Sequence, residues 1–319
     1  MRSLITGGAG FIGSHLTESL LAKGEKVTVI DNLSTGKLQN IKHLNGNKNL
    51  EIRIDTILNE PLMTELIEQC DVIYHLAAAV GVRLIIENPV ETIETNIIGS
   101  EIVLKLANRF KKKTLMASTS EVYGKSNHVP FKENYDSVFG PTVKSRWSYA
   151  CSKAIDEFLS LAYFHEKKLP VIIVRLFNTI GVRQTGRYGM VVPTFVQQAL
   201  LKHPITVYDD GLQSRCFTNV ADVVWGLQTL MENDDAIGNV FNIGTGDEIT
   251  IKELAELVIE LTGSDSEIKY IPYDQAYTEG FEDMRRRIPD ITKISKLTGY
   301  KPKIDLQETI HQIIEYYKK

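Results

Sequence analysis

Two residues with side chains suited to proton transfer stand four positions apart in the segment Ser148-Tyr-Ala-Cys-Ser-Lys153. On a helix this spacing places Tyr149 and Lys153 on one face, where the lysine ammonium group can lower the pKa of the phenol. An unperturbed tyrosine with a pKa of ~10 is a poor base at neutral pH, so it needs a positive neighbour before it can accept a proton. Taken alone, an ordinary surface pair is the more common explanation of this spacing.

The missing context comes from a glycine-rich segment near the start of the chain, which reads Thr6-Gly-Gly-Ala-Gly-Phe-Ile-Gly13. An apolar segment precedes it and apolar residues at helical spacing follow it, which predicts a strand, a tight turn and a helix. In such a unit Gly7 and Gly10 allow close backbone approach to a pyrophosphate, Gly13 lets the helix pack on the strand, and the helix N-terminus faces the anion. Glycine triplets also occur by chance in turns, so the flanking elements decide the interpretation.

A second predicted strand ends at Asp31, at the distance expected for a carboxylate that binds the cofactor ribose. Its oxygens would accept from both ribose hydroxyls and would repel a 2′-phosphate, which favours NAD over NADP. Together with Tyr149 and Lys153, this unit indicates a nicotinamide enzyme that moves a hydride and a proton at a carbinol.

The composition agrees with an enzyme of this kind. A chain of 319 residues, of which 43% are hydrophobic, is long enough for one large domain and one smaller domain. The net charge of −4 provides no basic surface for nucleic acid, and no apolar run reaches the length of a membrane span. We expect a cytoplasmic protein without a signal peptide, because the first predicted strand begins at residue 2. Three cysteines without metal-ligand spacing predict free thiols and no metal site.

Strand-like and helix-like segments alternate along the chain, which predicts an α/β protein with a doubly wound parallel sheet of the Rossmann type. We predict strands at residues 50–54, 72–76, 113–117, 171–176 and 240–243, and long helices at 91–108 and 149–165. After residue 177 the chain becomes rich in Gly, Arg and Thr, which is typical of a binding loop. We therefore assign residues 1–177 and 217–245 to an NAD-binding domain, and 178–216 and 246–319 to a smaller, discontinuous substrate-binding domain.

Six motifs in this order resemble those of the extended short-chain dehydrogenase/reductase family, in particular its nucleotide-sugar epimerases, dehydratases and decarboxylases. They are Thr6-Gly-Gly-Ala-Gly-Phe-Ile-Gly13, His75-Leu-Ala-Ala78, Ser118-Thr-Ser-Glu-Val-Tyr-Gly124, Tyr149-Ala-Cys-Ser-Lys153, Arg175-Leu-Phe-Asn178 and Asn242-Ile-Gly-Thr-Gly246. The resemblance spans nearly the whole chain and is more specific for the family than for one reaction.

The resemblance implies a role for each matching residue. Tyr149 would be the general base for a sugar hydroxyl, Thr119 would hydrogen-bond the same hydroxyl, and Lys153 would also bind the cofactor ribose. The cofactor-binding residues that it implies are Gly7, Gly10, Phe11, Ile12, Gly13, Asp31, Asn32, Asp55, Leu76, Ala77, Ala78, Asn96, Tyr149 and Lys153. The substrate-binding residues that it implies are Ser120, Asn178, Arg183, Arg187, Val191, Arg215 and Arg287. The active site would lie between the two domains, at the carboxyl ends of the strands.

Glu121 is the residue that separates reactions within the family. Galactose-type epimerases usually carry a small or apolar residue there, and dTDP-glucose 4,6-dehydratases carry Thr-Asp-Glu where this chain has Thr119-Ser-Glu121. Thr-Ser-Glu resembles UDP-glucuronate decarboxylases and also GDP-mannose 4,6-dehydratases, but the latter usually use NADP, which Asp31 disfavours. Glu121 would then act as a catalytic acid or base, although a structural cap or a salt-bridge acceptor are the alternatives.

A second segment points the same way, since Arg285-Arg-Arg-Ile-Pro-Asp-Ile291 resembles the Arg-x-Pro segment of uronate decarboxylases. Arg287 could bind the sugar carboxylate or the diphosphate, because a guanidinium recognises either group bidentately. The favoured function is oxidation of C4 of a UDP-hexuronate followed by decarboxylation, as in a UDP-glucuronate decarboxylase that yields a UDP-pentose.

Other functions remain open on the same fold. They are a 4-epimerase of UDP-glucuronate, UDP-glucose or UDP-GlcNAc, an NDP-sugar 4,6-dehydratase, and a catalytically silent NAD-binding scaffold, which the intact set of Thr119, Tyr149 and Lys153 argues against. The two long helices resemble those through which family members pair, and they carry surplus apolar residues at 97–98 and 102–104. We therefore expect a homodimer with twofold symmetry.

Overall fold

The computed structural model describes residues 1–81, 88–186, 189–272 and 284–318. Its centre is a seven-stranded parallel sheet with the strand order β11-β6-β5-β4-β1-β2-β3. The strands are β1 (Arg2–Thr6), β2 (Lys26–Ile30), β3 (Leu50–Arg53), β4 (Val72–His75), β5 (Lys113–Thr119), β6 (Val171–Leu176) and β11 (Val240–Ile243). The chain extends the sheet outward in both directions from β1 and β4, so a crevice opens beside them at the carboxyl ends of the strands. This confirms the predicted α/β fold with a doubly wound sheet.

Helices cover both faces of the sheet because its strands are apolar on both sides. On one face lie α1 (Phe11–Ala22) and α6 (Val220–Glu232), which share a buried core with β1 and β2. On the other face α2 (Glu60–Gln69) and α3 (Pro89–Phe110) pack on β4 and β5, and α4 (Arg146–Lys167) packs beside α3. The long predicted helices correspond to α3 and α4, each extended by two or three residues at either end.

A second apolar core lies beyond the sheet, among segments that follow residue 177. It is built by α5 (Val191–Leu200), α7 (Ile251–Thr262) and α9 (Leu306–Lys318), with the strand pair β8 (Ile205–Tyr208) and β13 (Ile268–Ile271). Short pairs join β7 (Thr179–Ile180) to β10 (Thr218–Asn219) and β9 (Ser214–Cys216) to β12 (Glu248–Thr250). The predicted domain boundaries stay a prediction.

One segment of the expected smaller domain packs elsewhere. Helix α8 (Thr292–Thr298) and the residues after it contribute Ile294 and Tyr300 to the core that α1 and α6 share. The Tyr300 ring stacks on Trp225 of α6 with ring centroids 5.5 Å apart, and its hydroxyl donates to the Gly244 carbonyl oxygen. Burial of these apolar side chains holds α8 against the sheet rather than against the second core.

The outward faces of α3 and α4 carry exposed apolar side chains, of which Phe158 is 74% exposed. Ile98 on α3 and Ile155 on α4 are also exposed, whereas Val103 and Leu104 are fully buried against the sheet. Part of the predicted surplus of apolar residues on α3 is therefore used inside the protein. In the described ranges we find no helix that is both long and apolar enough to span a membrane.

Candidate active site

A large cavity of about 1020 Å³ lies at the carboxyl edge of the sheet. Its walls come from the turn after β1, the ends of β2 to β6, the start of α4, and segments of the second core. Such a crevice, at the point where a doubly wound sheet changes direction, is where this architecture binds ligands.

One end of the cavity is formed by the glycine turn between β1 and α1. Gly7 has φ +73°, and a side chain there would bring a Cβ within 2.9 Å of the Ala77 backbone nitrogen. A Cβ on Gly13 would overlap the Gly7 carbonyl oxygen, so the close packing of turn on helix requires glycine at both positions. Helix α1 begins at Phe11, after Gly10 at the N-cap position, without a side-chain cap or an acidic residue in its first turn. Its N-terminal N–H groups are therefore available to a phosphate.

Asp31 follows β2 at the same end of the cavity. Its two carboxylate oxygens accept the backbone N–H groups of Ala9 at 3.0 Å and Leu33 at 2.8 Å. Burial raises the pKa of Asp31, and these two N–H groups partly oppose that effect. Since a carboxylate offers about four acceptor positions, Asp31 keeps capacity for ribose hydroxyls. The arrangement can hold the adenosine and pyrophosphate half of a dinucleotide.

Most of the other expected cofactor residues line this cavity: Phe11, Ile12, Asn32, Asp55, Leu76, Ala77 and Ala78. Asn96 differs from the expectation, because it does not line the cavity but lies buried on α3 behind the wall. Its side chain accepts the Ala79 N–H at 2.8 Å and donates to the Ser152 hydroxyl at 3.3 Å. Both polar atoms of the amide therefore take part in bonds within the protein, through which Asn96 fixes the wall segment.

The catalytic set expected from the sequence comes together in the middle of the cavity wall. Thr119 ends β5, while Tyr149 and Lys153 occupy successive turns of α4, and all three line the cavity. The Thr119 hydroxyl hydrogen-bonds the Tyr149 phenol. Burial raises the pKa of Tyr149 and the charge of Glu121 raises it further, so the surrounding side chains do not by themselves make it a base. The Lys153 ammonium donates to Asp156 at 2.7 Å.

Glu121 lies buried between two arginines that reach it from different parts of the chain. Arg146 Nη2 is 2.6 Å from Oε2 and Arg287 Nη2 is 2.8 Å from Oε1. Burial alone would raise the pKa of Glu121, but the charges of Arg287 and Arg146, together with Arg215, hold it at about 2. Glu121 is therefore a carboxylate at any working pH. Its position is that of the salt-bridge acceptor, one of the alternatives considered from the sequence.

Five of the expected substrate residues line the same cavity: Ser120, Asn178, Val191, Arg215 and Arg287. Arg183 does not line it, because its guanidinium is bonded to Glu18 of α1, with Nη2 2.6 Å from Oε2. Residue 183 has φ +70°, and the turn that produces this conformation directs the side chain to α1. Arg187 lies outside the described residues.

Two charged residues of the site were not among the expected site residues. Arg146 lines the cavity and pairs with Glu121, and Asp156 pairs with Lys153. Both lie on α4 within three residues of Tyr149 or Lys153. From the sequence, Arg146 could either reach the substrate or merely start the helix, whereas Asp156 would have been found by a search for charged neighbours along one helix face.

Comparison with known proteins agrees with this geometry. The family described as GDP-mannose 4,6-dehydratase matches residues 4–313. A UDP-N-acetyl-α-D-glucosaminuronate decarboxylase of Bacillus cytotoxicus is 42% identical, over the whole of this chain and 98% of its own. UDP-glucuronic acid decarboxylase 1 of Danio rerio is 40% identical over the whole of this chain and 73% of its own.

Among solved structures, a UDP-glucose 4-epimerase of Thermus thermophilus in complex with NAD superposes with a TM-score of 0.87. It is 28% identical, and the match covers the whole of this chain and 99% of the epimerase. The family match and the identity to its relatives extend over almost every described element of the fold. The chain therefore belongs to the GDP-mannose 4,6-dehydratase family, among the extended short-chain dehydrogenase/reductase enzymes that its motifs resemble.

Proposed function

We propose that this enzyme is an NAD-dependent UDP-hexuronate decarboxylase, which oxidises C4 of the sugar transiently and releases the C5 carboxyl group as carbon dioxide. The observation that carries the proposal is the cluster of Arg146, Arg215 and Arg287 around Glu121, in the same cavity as Tyr149. Two relatives that match the whole of this chain are named as decarboxylases of UDP-hexuronates. A cationic cluster beside the catalytic tyrosine suits a substrate that carries a carboxylate.

The residues at the glycine end of the cavity fit NAD. The turn at Gly7 leaves no side chain between backbone and ligand, and the uncapped start of α1 offers N–H groups to the pyrophosphate. Asp31 supports NAD over NADP, because a buried carboxylate at this position repels a 2′-phosphate. When bound, NAD supplies the hydride acceptor and donor for C4.

Tyr149 accepts the proton of the C4 hydroxyl while Thr119, bonded to the phenol, orients that hydroxyl. Because burial and Glu121 raise the pKa of Tyr149, positive charge is needed nearby to make it a base. Lys153, which lines the cavity wall, would provide such a charge.

A C4 ketone makes the substrate a β-keto acid, so the bond between C5 and the carboxyl carbon breaks with its electron pair delocalised onto the ketone oxygen. A solvent proton then adds to C5, and Tyr149 would return its proton to the C4 oxygen as the ketone is reduced. Each turnover consumes one proton. Glu121, with a pKa of about 2, cannot donate this proton at neutral pH. Its part is to hold Arg146 and Arg287 where a guanidinium can bind the sugar carboxylate bidentately.

A 4-epimerase would use the same oxidation, but its sugar would keep the carboxylate. The keto-sugar would then rotate in the site, so that C4 is reduced on the opposite face. That rotation needs free space beside the ring, whereas Glu121 and its two arginines form a fixed, buried cluster in this cavity. The cluster thus favours decarboxylation. The two relatives differ in the C2 substituent of their substrates, so the proposal includes both UDP-glucuronate and its 2-acetamido counterpart.

The test is mass spectrometry of the purified enzyme incubated with UDP-glucuronate or UDP-N-acetylglucosaminuronate. We expect a product lighter than one of these substrates by one carbon dioxide, with Tyr149→Phe giving no product, since loss of a positioned base costs about 10²–10⁴-fold. A product of unchanged mass with altered chromatographic retention would establish a 4-epimerase instead. No product from either substrate would reject the proposal.

The association state belongs to the same proposal. The exposed apolar side chains on the outward faces of α3 and α4, among them Ile98, Ile155 and Phe158, support a twofold dimer through these helices. The cytoplasmic location and the absence of nucleic-acid partners, expected from the sequence, stay predictions.

A further inference from the structure

Lys153 has a buried acidic partner on the side away from the cavity. Its ammonium nitrogen lies 2.7 Å from Asp156 Oδ2, one helical turn further along α4, and both side chains are 3% exposed. Lys153 lines the cavity and Asp156 does not. Among the described residues no donor is aligned with the other carboxylate oxygen, Oδ1, so the buried charge of Asp156 depends on Lys153 for its balance.

A row of polar groups leads from the glycine turn to this pair. The Ala77 N–H donates to Thr6 Oγ1 at 3.2 Å, Thr6 Oγ1 lies 2.8 Å from His75 Nδ1, and His75 Nε2 lies 3.2 Å from Ser100 Oγ. The Ser100 hydroxyl in turn lies beside Asp156. Burial raises the pKa of the Asp156 carboxyl group, and first Lys153 and then Ser100 partly oppose that effect. The row connects the cofactor end of the cavity with the back of the catalytic lysine.

The donors in this row have one consistent direction. Burial lowers the pKa of His75 to about 3, so its ring is neutral and carries a single N–H. If Ser100 donates its proton to the Asp156 carboxylate, its oxygen must accept from His75 Nε2. His75 Nδ1 is then left to accept from the Thr6 hydroxyl. With Ser100 donating in this way, the row would end at the Asp156 carboxylate.

We propose that Asp156 is a positioning residue for the reaction, which fixes the Lys153 ammonium at the cavity wall and whose charge sets the pH range in which Tyr149 works as a base. The part concerning the reaction rests on the function proposed above. The part concerning the pair of Asp156 and Lys153 does not.

The charged and titratable groups around the pair decide the sign of the effect. Asp156 is faced by Lys153 and Glu157 on α4 and by Ser100 from α3, with His75 of β4 behind Ser100. Tyr149 is faced in addition by Glu121 and Arg146. Burial raises the pKa of Tyr149 most, and the negative charge of Asp156 raises it further. Removal of this charge therefore lowers the pKa of the base.

Asp156→Asn keeps the size of the side chain and removes its charge. We expect the acidic limb of the pH profile of kcat, which reports the base, to move to lower pH by on the order of one pH unit. Asp156→Glu should keep this limb in place even where the rate falls, because the charge is retained. Glu166→Gln, which removes the same charge at an exposed position of α4, is the matched control and should leave the profile unchanged. A profile of Asp156→Asn that is lower but has an unmoved acidic limb would overturn the proposal.

A second measurement needs no turnover, so it separates failure of this inference from failure of the proposed function. Thermal unfolding of Asp156→Asn, Lys153→Met and the double variant forms a double-mutant cycle. We expect each single variant to unfold at a lower temperature and the double variant to lose much less than both losses combined. If Asp156→Asn alone is recovered unfolded, the double variant should still fold. Additive losses, or a double variant that is also unfolded, would overturn the proposal.

Discussion

Substitution of Glu121 by glutamine tests both the electrostatics of the site and the order of the chemical steps. Glutamine keeps the shape of the side chain but leaves Arg146 and Arg287, which lie 2.6 and 2.8 Å from the carboxylate oxygens, without an anion between them. Breaking a buried ion pair in this way is strongly destabilising, because a charge remains buried without compensation.

The size of the loss follows from the pKa of the carboxyl group. The pKa of Glu121 falls from an ordinary 4.5 to about 2, and a tenfold change in an equilibrium constant corresponds to ~1.4 kcal/mol, which gives about 3 kcal/mol at neutral pH. Because the folded pKa is the lower one, this contribution is present above pH 4.5 and is lost as the pH falls toward 2. The difference in unfolding free energy between wild type and variant should therefore shrink across that interval.

Urea unfolding at neutral and acidic pH measures this difference. The matched control is Glu248→Gln, since Glu248 pairs with Arg286 at 2.7 Å near the surface, where such a pair contributes less than about 1 kcal/mol. Equal effects of the two substitutions, or a difference for Glu121→Gln that does not change with pH, would refute the electrostatic reasoning.

The chemical effect is separable from the stability effect. Loss of the Glu121 charge lowers the pKa of Tyr149, so C4 oxidation should persist, whereas decarboxylation should slow by about 10²-fold as Arg146 and Arg287 lose their fixed positions. Folded Glu121→Gln enzyme mixed with UDP-glucuronate should accumulate reduced cofactor, visible by its absorbance, while Tyr149→Phe should not. Unchanged turnover would show that Glu121 is structural, and the 4-epimerase alternative would then gain over decarboxylation.

Two further predictions concern the cofactor and the association state. Asp31→Ala should shrink the preference for NAD over NADP measured by calorimetry, because the carboxylate that repels a 2′-phosphate is removed; equal affinity of the unmodified protein for both cofactors would contradict the assignment. Phe158→Asp should convert a dimer to a monomer in light scattering, because it places a charge where the exposed aromatic ring is expected to be buried between two copies. Burial of each ring contributes about 2 kcal/mol to association. A monomer mass for the unmodified protein at micromolar concentration would reject the dimer.

The local sequence was sufficient to predict a feature of the structure wherever the physical constraint on that feature is local. A turn residue at φ +73° favours glycine, and a Cβ at this position would come within 2.9 Å of the Ala77 backbone nitrogen, so Gly7 is readable from the sequence. Tyr149 and Lys153 face the cavity together because four residues make about one helical turn. The strands β6 and β11 begin and end at the predicted residues, since short apolar runs bounded by turn residues leave little choice.

Helices α2 and α6 were not anticipated, although each carries a readable start signal. The Asn59 side chain accepts the Leu62 N–H, and the Asn219 side chain accepts the Ala221 N–H, which is the usual role of asparagine before a helix. Asparagine is equally common in turns, so the signal gains meaning only when the following residues are known to pack on a sheet.

The partners of the charged residues are what only the tertiary structure decided. Glu121 meets Arg146 and Arg287, the second of which lies far away in the sequence, whereas Arg183, in a segment that resembles substrate-binding segments of the family, turns instead to Glu18. Lys153 was recognised from its spacing to Tyr149, but its contact with Asp156 was not. The reason is physical: a buried charge must be neutralised by whichever opposite charge the packing brings near it, and this choice depends on distances in space that sequence spacing does not contain.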